Sequence, residues 1–439
     1  MRWMDDYQSK LCRANEALRL VESNSCVYIH PGCATPLTLV EALSARAPEL
    51  HNVEALHMLT LGEAAYSHPG MEGRIRHNAL FFGGNVRGAV QDGRADYIPI
   101  FLHEIEDLFT SGAMAIDTAL LSTSPPDAQG YLSLGVGVDA TLTAAECAGR
   151  VIAEVNHQMP RTYGDAFLHV SQLAAIVESN RPLQEIAQEP GTPVQTQIGR
   201  LVAELIPDGA CLQLGIGAIP DAVLQCLTNH KDLGIHSEMV SDGVVELIER
   251  GVINNRRKTT HPGKCLVGFV LGTKKLFEFM HESALFEMQR TRYVNDPFQI
   301  AQNDRAVAIN SAIEVDLSGQ VVADSIGFKP YSGVGGQVDF VRGAARSKGG
   351  KPIIALPATA KLGAISRIVP SLQPGAGVVT SRADAHYVVT EYGRAYLHGK
   401  NLRQRAEALI AIAAPQFREE LTRAATENRI LGARMTTLA

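Results

Sequence analysis

At 439 residues the chain is longer than one ordinary core organises, so two domains, or three, are expected. A composition of 46 % hydrophobic and 20 % charged residues is that of a soluble globular protein. A net charge of −6, no Lys/Arg block and only 6 % aromatic residues argue against nucleic acid as the main partner.

The N-terminus, MRWMDDYQSKLCRANEALRLVES, is polar and reads as helix. It has no apolar core of the kind a secretory signal needs. No apolar run approaches the length of a membrane span; LVGFVLG is among the longest. The seven cysteines are scattered, with no C-x-x-C pair, which fits reduced thiols and a cytoplasmic location. Strand-length apolar runs then alternate with helical patterns: SCVYIH with TPLTLVEALSARA, and RADYIPIF with LHEIEDLF. That rhythm predicts an α/β fold with mostly parallel sheets.

Residues 178–196, ESNRPLQEIAQEPGTPVQT, lack a sustained apolar face and read as a linker. The chain restarts as a helix, QIGRLVAELI, and a second pattern matches the first. CVYIHPGCATPLTLVEAL from Cys26 and CLQLGIGAIPDAVLQCL from Cys211 both run strand, glycine loop, proline, helix. Gly32 and Gly217 each lie six residues past the leading cysteine, and Pro36 and Pro220 open the helices. This weak internal repeat predicts two similar α/β domains, 1–190 and 191–439, with a site between them.

The loop QLGIGAIPDAV offers a helix N-terminus and close backbone approach to a ligand. It has two glycines of a dinucleotide fingerprint, but Pro220 stands where the third belongs. Next comes GIHSEMVSDG, with Glu238 after a short apolar run. Glu238 is open to four readings: a surface acid, a ribose-binding acid about 20 residues past the glycines, part of an H-x-E zinc site, or a nucleophile. The missing P-C-x-x-C weakens the zinc reading, as Pro220 weakens the ribose one. AINSAIEVDLSGQV alternates as a strand, and Asn310 interrupts its apolar face, as a strut or a site residue. IGFKPYSGVGGQVDF is a second glycine loop; Gly333, Gly335 and Gly336 with Gln337 and Asp339 could form a backbone nest, and Lys329 just before it is a candidate phosphate contact.

Taken in order, GIGAIPDAV, GIHSEMVSDG, AINSAIEVDLSGQV, GFKPYSGVGGQVDF and TEYGRAYLHGKNLRQRA resemble the acetyl-CoA hydrolase/transferase family of class I CoA-transferases. HNALFFGGNVRGAVQDGRADYIPIFLHEI and LLSTSPPDAQGYLSLGVGVD extend the likeness over the N-terminal half. Within the family the length and the Glu238 context look most like 4-hydroxybutyrate CoA-transferases and the similar butyryl-CoA:acetate CoA-transferases. The resemblance implies two α/β domains with the site in their cleft, acyl-CoA and a short-chain carboxylate as substrates, no metal or redox cofactor, and a homodimer. It gives Glu238 the role of carboxylate nucleophile, forming a glutamyl anhydride and then a glutamyl–CoA thioester. Gly215, Gly217, Ala218, Gly335 and Gly336 would line the oxyanion and CoA path, and Asn310 would reach the site. His30, Lys329 and Glu391 are further candidates, with Arg342 and Arg403 as alternative phosphate contacts. The helix AAPQFREEL departs from the family pattern, with Ala414 where histidine is common. An acetyl-CoA hydrolase on the same scaffold is the alternative activity, since both need Glu238.

Overall fold

The computed structural model describes residues 2–188, 190–215 and 217–431. Seven parallel strands build the first sheet: β1 (Cys26–Ile29), β2 (Val53–His57), β3 (Ile75–Ala79), β4 (Asp96–Tyr97), β5 (Thr118–Thr123), β6 (Arg150–Asn156) and β7 (Ala175–Ser179). Their order is β4-β3-β2-β1-β5-β6-β7. The second sheet holds β8 (Cys211–Leu214), β9 (Gly234–Val240), β10 (Cys265–Val270), β11 (Phe286–Met288), β12 (Ala306–Ser311), β13 (Lys351–Ala355), β14 (Tyr387–Thr390) and β15 (Gly393–Tyr396). Their order is β11-β10-β9-β8-β12-β13-β14-β15, and only the last pairing is antiparallel.

The two orders are one topology used twice. In each sheet the first strand lies between the second and the fifth, and the chain reverses its direction of growth there. β1 and β8 are the strands that open the two halves of the sequence repeat. Such a reversal leaves a crevice beyond the carboxyl ends of the central strands, where open α/β sheets place their ligands.

Side-chain alternation along each strand explains the cores. Tyr28, Leu56, Ala119 and Leu121 face one way, and Val27, Ile29, Ala55 and Leu120 face the other into a separate cluster. The first group joins Leu212, Leu214, Ile235, Val267 and Ile309 of the second sheet in a single cluster. One face of each sheet is therefore buried in a core shared by both halves. Near-continuous burial of TALLST in β5 and CLQL in β8 is what a parallel sheet covered on both faces requires.

Helix α1 (Leu37–Arg46) follows β1, α2 (Ile105–Thr110) lies between β4 and β5, and α3 (Ala218–Gln225) follows β8. Pro220 sits inside the first turn of α3, where a backbone N–H has no partner in the helix anyway. The short helix α4 (Thr291–Val294) and the longer α5 (Gln337–Arg346) complete the frame of the site. The stretch read as a linker, 178–196, begins at the end of β7 and finishes in a helix, Pro193–Ala203; the described residues between them form no regular element. It is tied to the second half: Ile186 N–H donates to Gly272 O at 2.9 Å, and Gln188 Nε2 to Asp221 Oδ1 at 2.8 Å.

Candidate active site

Glu238 lies near the carboxyl end of β9, with every residue of that strand buried. Its neighbours His236 and Ser237 are spent on structure. His236 accepts at Nδ1 from Asn303 Nδ2 and donates from Nε2 to Val294 O at 2.8 Å. Burial holds its pKa down at about 3. Ser237 Oγ bonds Leu214 O at 3.3 Å. With both His236 nitrogens used, the H-x-E pair has no free imidazole for a metal. Among the described residues no cluster of three or more His, Cys, Asp or Glu could hold one.

The Glu238 carboxyl opens on a small cavity of about 50 Å3. One wall comes from the first half of the chain: Pro31 and Gly32 after β1, Met58 and Leu59 after β2, Phe81 after β3, and Leu102. The other comes from Glu238, Phe269, Leu271 and Gly335. Apart from Glu238 and Asp139, the described lining residues are apolar or glycine. Burial raises the Glu238 pKa to about 7; the Asn295 amide pulls it back and the nearby Asp339 charge pushes it further up. Asp139 is also held at about 7 by burial, against hydrogen bonds from Thr141.

The two halves meet tightly here. Leu102 N–H donates to Gly335 O at 3.2 Å, and Val138 N–H to Gly268 O at 2.9 Å. Glu106 on α2 reaches across to the start of α4, accepting from Arg292 N–H at 2.8 Å and Thr291 Oγ1 at 3.2 Å. At the far end of α4 stands Asn295, fully buried, whose Nδ2 donates to Glu238 Oε2 at 2.9 Å.

The second glycine loop does come to Glu238. Gly335 has φ of 64°, a conformation that costs other residues. Gly336 packs so closely that a Cβ there would overlap Glu238 Oε2 and Asn295 Nδ2. Only a residue without a side chain allows the backbone to meet the carboxyl. Gly215, by contrast, commits its N–H to Ile309 O at 2.9 Å, continuing the β8–β12 ladder. Gly217 and Ala218 open α3; Ile216, between Gly215 and Gly217, lies outside the described residues.

Other candidates are placed elsewhere or otherwise engaged. Asn310 exchanges two hydrogen bonds with Gln213, at 2.9 and 3.2 Å, which braces β8 against β12 beside Gly215. His30 is fully buried, accepts from Ser122 N–H at Nδ1 and donates from Nε2 to Gly137 O at 2.7 Å, with its pKa held down at about 4 by burial. Lys329 is exposed on a hairpin with Ser325–Ile326. Glu391 accepts from Ala358 N–H at 2.8 Å. None of these lines the Glu238 cavity. Arg342 and Arg403 pair with Asp384 and Glu407.

Asn295 and Asp139 are the residues that pattern reading missed. Asn295 sits in RYVNDPF, where an Asn before Asp-Pro looks like an ordinary helix junction, and it is one: its N–H closes α4 on Thr291 O at 2.8 Å. Nothing local marks its side chain as aimed at a residue 57 positions away.

Comparison with known proteins supplies the family. The acetyl-CoA hydrolase/transferase N-terminal domain matches residues 1–186 and the corresponding C-terminal domain matches 272–425. The chain belongs to the acetyl-CoA hydrolase/transferase family. A 4-hydroxybutyrate coenzyme A transferase of Clostridium kluyveri is 52 % identical over 96 % of this chain and 98 % of its own. A succinyl-CoA:acetate/propanoyl-CoA:succinate CoA transferase of Fasciola hepatica is 50 % identical over 94 % of this chain and 86 % of its own. Among solved structures, the 4-hydroxybutyrate CoA-transferase of Porphyromonas gingivalis superimposes with a TM-score of 0.85 at 40 % identity, covering 97 % of this chain and 100 % of that one. The family resemblance read from the motifs, the α/β architecture and the expectation of an enzyme of the CoA-transferase class are all borne out. The stretch that carries Glu238, 187–271, falls between the two matched family domains, but the full-length relatives span it.

Proposed function

We propose that the protein is an acyl-CoA:carboxylate CoA-transferase, working by a ping-pong cycle on Glu238 with short-chain acids such as acetate, butyrate or 4-hydroxybutyrate. The observation that carries this reading is a buried carboxyl in a small apolar cavity, backed by a glycine backbone and an amide donor. A carboxylate can hold an acyl group in an activated state, which a transferase needs if thioester energy is to survive.

In the proposed cycle the Glu238 carboxylate attacks the acyl-CoA carbonyl. A C–O bond forms, the C–S bond breaks, and a glutamyl–acyl anhydride and CoA thiolate result. The thiolate attacks the glutamyl carbonyl and expels the first acid as its carboxylate, leaving a glutamyl–CoA thioester. The second carboxylate attacks that thioester, and the same steps in reverse deliver its acyl-CoA and free Glu238. Both tetrahedral intermediates carry an oxyanion and need preorganised donors. Asn295 Nδ2, 2.9 Å from Glu238 Oε2, is one such donor, and the Gly335–Gly336 backbone is the surface beside it. An apolar cavity keeps water from intercepting the anhydride or the thioester, which separates transfer from hydrolysis.

Coenzyme A enters this scheme as a substrate. The reading also divides the chain near residue 190 into two domains, one supplying the nucleophile and the other the facing wall, in a cytoplasmic homodimer. Seven free cysteines fit a reducing compartment. The test is to supply acetyl-CoA with and without 4-hydroxybutyrate or butyrate. Formation of the new acyl-CoA in step with loss of acetyl-CoA supports transfer; CoA release to water with no new thioester would refute it.

A further inference from the structure

Behind Glu238 the buried polar groups form a line that leads out of the cavity. Asn295 Nδ2 donates to Glu238 Oε2 at 2.9 Å and also to Asp339 Oδ2 at 3.3 Å. Asp339 Oδ1 accepts from His103 Nδ1 at 2.8 Å, and Oδ2 lies 3.4 Å from the His103 backbone N–H. Asn295 and Asp339 are buried, while the His103 side chain is 30 % exposed. The four residues come from β9, the end of α4, the first turn of α5 and the turn ahead of α2. That last turn belongs to the first half of the chain; the other three belong to the second.

An acid in the first turn of α5 suits the helix dipole, and that alone would account for Asp339. It does not account for a histidine sent from the other half, nor for the state of Asn295. The Asn295 Oδ1 atom is buried and has no hydrogen-bond partner among the described residues. An orphaned buried carbonyl is unfavourable, so the amide needs a reason to keep this orientation. Two carboxyls on its NH2 side supply it. Glu238 alone would hold one N–H; Asp339 takes the other.

We propose that His103 and Asp339 are a positioning pair that fixes the Asn295 amide on Glu238, so that the nucleophile is set only when the first half of the chain is seated on the second. This rests on Glu238 being the nucleophile. Neither member of the pair lines the cavity, and both act on Glu238 through Asn295. Asp339 is faced by His103, Asn295 and Glu238; Arg342, one turn along α5, is engaged by Asp384. His103 is faced by Asp339, Glu104 and Asp296, all acids, and they raise its pKa, the Asp339 hydrogen bond most.

Three variants test the pair. Asp339→Asn removes the carboxylate that holds the second Asn295 N–H, so plateau kcat should fall about tenfold with KM for acyl-CoA changed less than about threefold. His103→Ala should lower kcat by a similar factor. His103→Asn, whose amide N–H can replace the Nδ1–H, should recover to within about threefold of wild type. Wild-type kcat in Asp339→Asn, or His103→Asn as impaired as His103→Ala, would overturn the proposal. If Asp339→Asn does not fold, the two variants at half-exposed His103 decide. The Glu238 carboxyl can also be titrated in the free protein by infrared difference against Glu238→Gln. A Glu238 pKa that is displaced in His103→Ala and restored in His103→Asn supports the pair, and the same pKa in wild type and both variants refutes it, whatever the turnover. Absence of CoA transfer by the wild-type protein would instead refute the functional reading and leave that titration result standing.

Discussion

Replacing Glu238 by Gln should stabilise the protein, and by an amount set by pH. Burial holds the Glu238 pKa at about 7, against an ordinary value of 4.5. The folded protein therefore keeps a proton that the unfolded chain has already lost between those two values. Its contribution to stability is fully present below pH 4.5, declines as pH rises to 7, and is flat above. A gap of about 2.5 pH units at about 1.4 kcal/mol each makes the loss about 3 kcal/mol at pH 8. Gln has the same shape, and its oxygen can still accept from Asn295 Nδ2. The variant should match wild type near pH 4.5 and exceed it by about 3 kcal/mol at pH 8. Urea unfolding followed by far-ultraviolet circular dichroism at the two pH values measures the difference. Equal offsets at both pH values, or a variant less stable at pH 8, would refute the burial argument.

The same titration governs activity. With the carboxylate as the reactive form, kcat/KM should rise with pH through about 7 and level off, because that ratio reports groups of the free enzyme; a profile flat from pH 5 to 8 would contradict it. Asn295→Ala removes the donor that lowers the Glu238 pKa, so the acidic limb should move to higher pH and kcat should fall by a factor of about 10 to 100, read by steady-state kinetics. Gly336→Ala places a methyl group on Glu238 Oε2 and Asn295 Nδ2, and should abolish turnover while costing about 1–3 kcal/mol of stability; full activity in a folded variant would show that the loop stands further off. Glu106→Gln keeps the shape but not the charge at the start of α4; a drop in kcat with little change in thermal midpoint would tie the seating of α4 to catalysis.

Much of the fold could be read from the chain because its signals are local. Strand-length apolar runs alternate with helical periods, and the repeat from Cys26 and Cys211 reappears as one strand order in two sheets. Glu238 stood out because a charge at the end of an apolar run needs a reason, and Gly335–Gly336 because clustered glycines can form a backbone nest. The structure sets both in one place. The rest depended on long-range packing. Asn310 and Asn295 look alike in sequence, each an amide beside an apolar stretch. Only the fold turns one toward Gln213 and the other toward Glu238. His30 and His103 follow the same pattern: the histidine beside the first glycine loop is sealed between Ser122 and Gly137, and the one in LHEIEDLF reaches Asp339 from the opposite half. Partners 57 to 236 residues apart leave no trace in local periodicity.

Covalent trapping tests the role of Glu238 most directly. The protein is incubated with acetyl-CoA, reduced with borohydride, digested, and the peptide carrying residue 238 is weighed by mass spectrometry. A glutamyl–CoA thioester on Glu238 would be reduced to the alcohol there, with no such product in Glu238→Gln. Reproducible modification at another residue, or none while CoA transfer proceeds, would contradict Glu238 as the nucleophile.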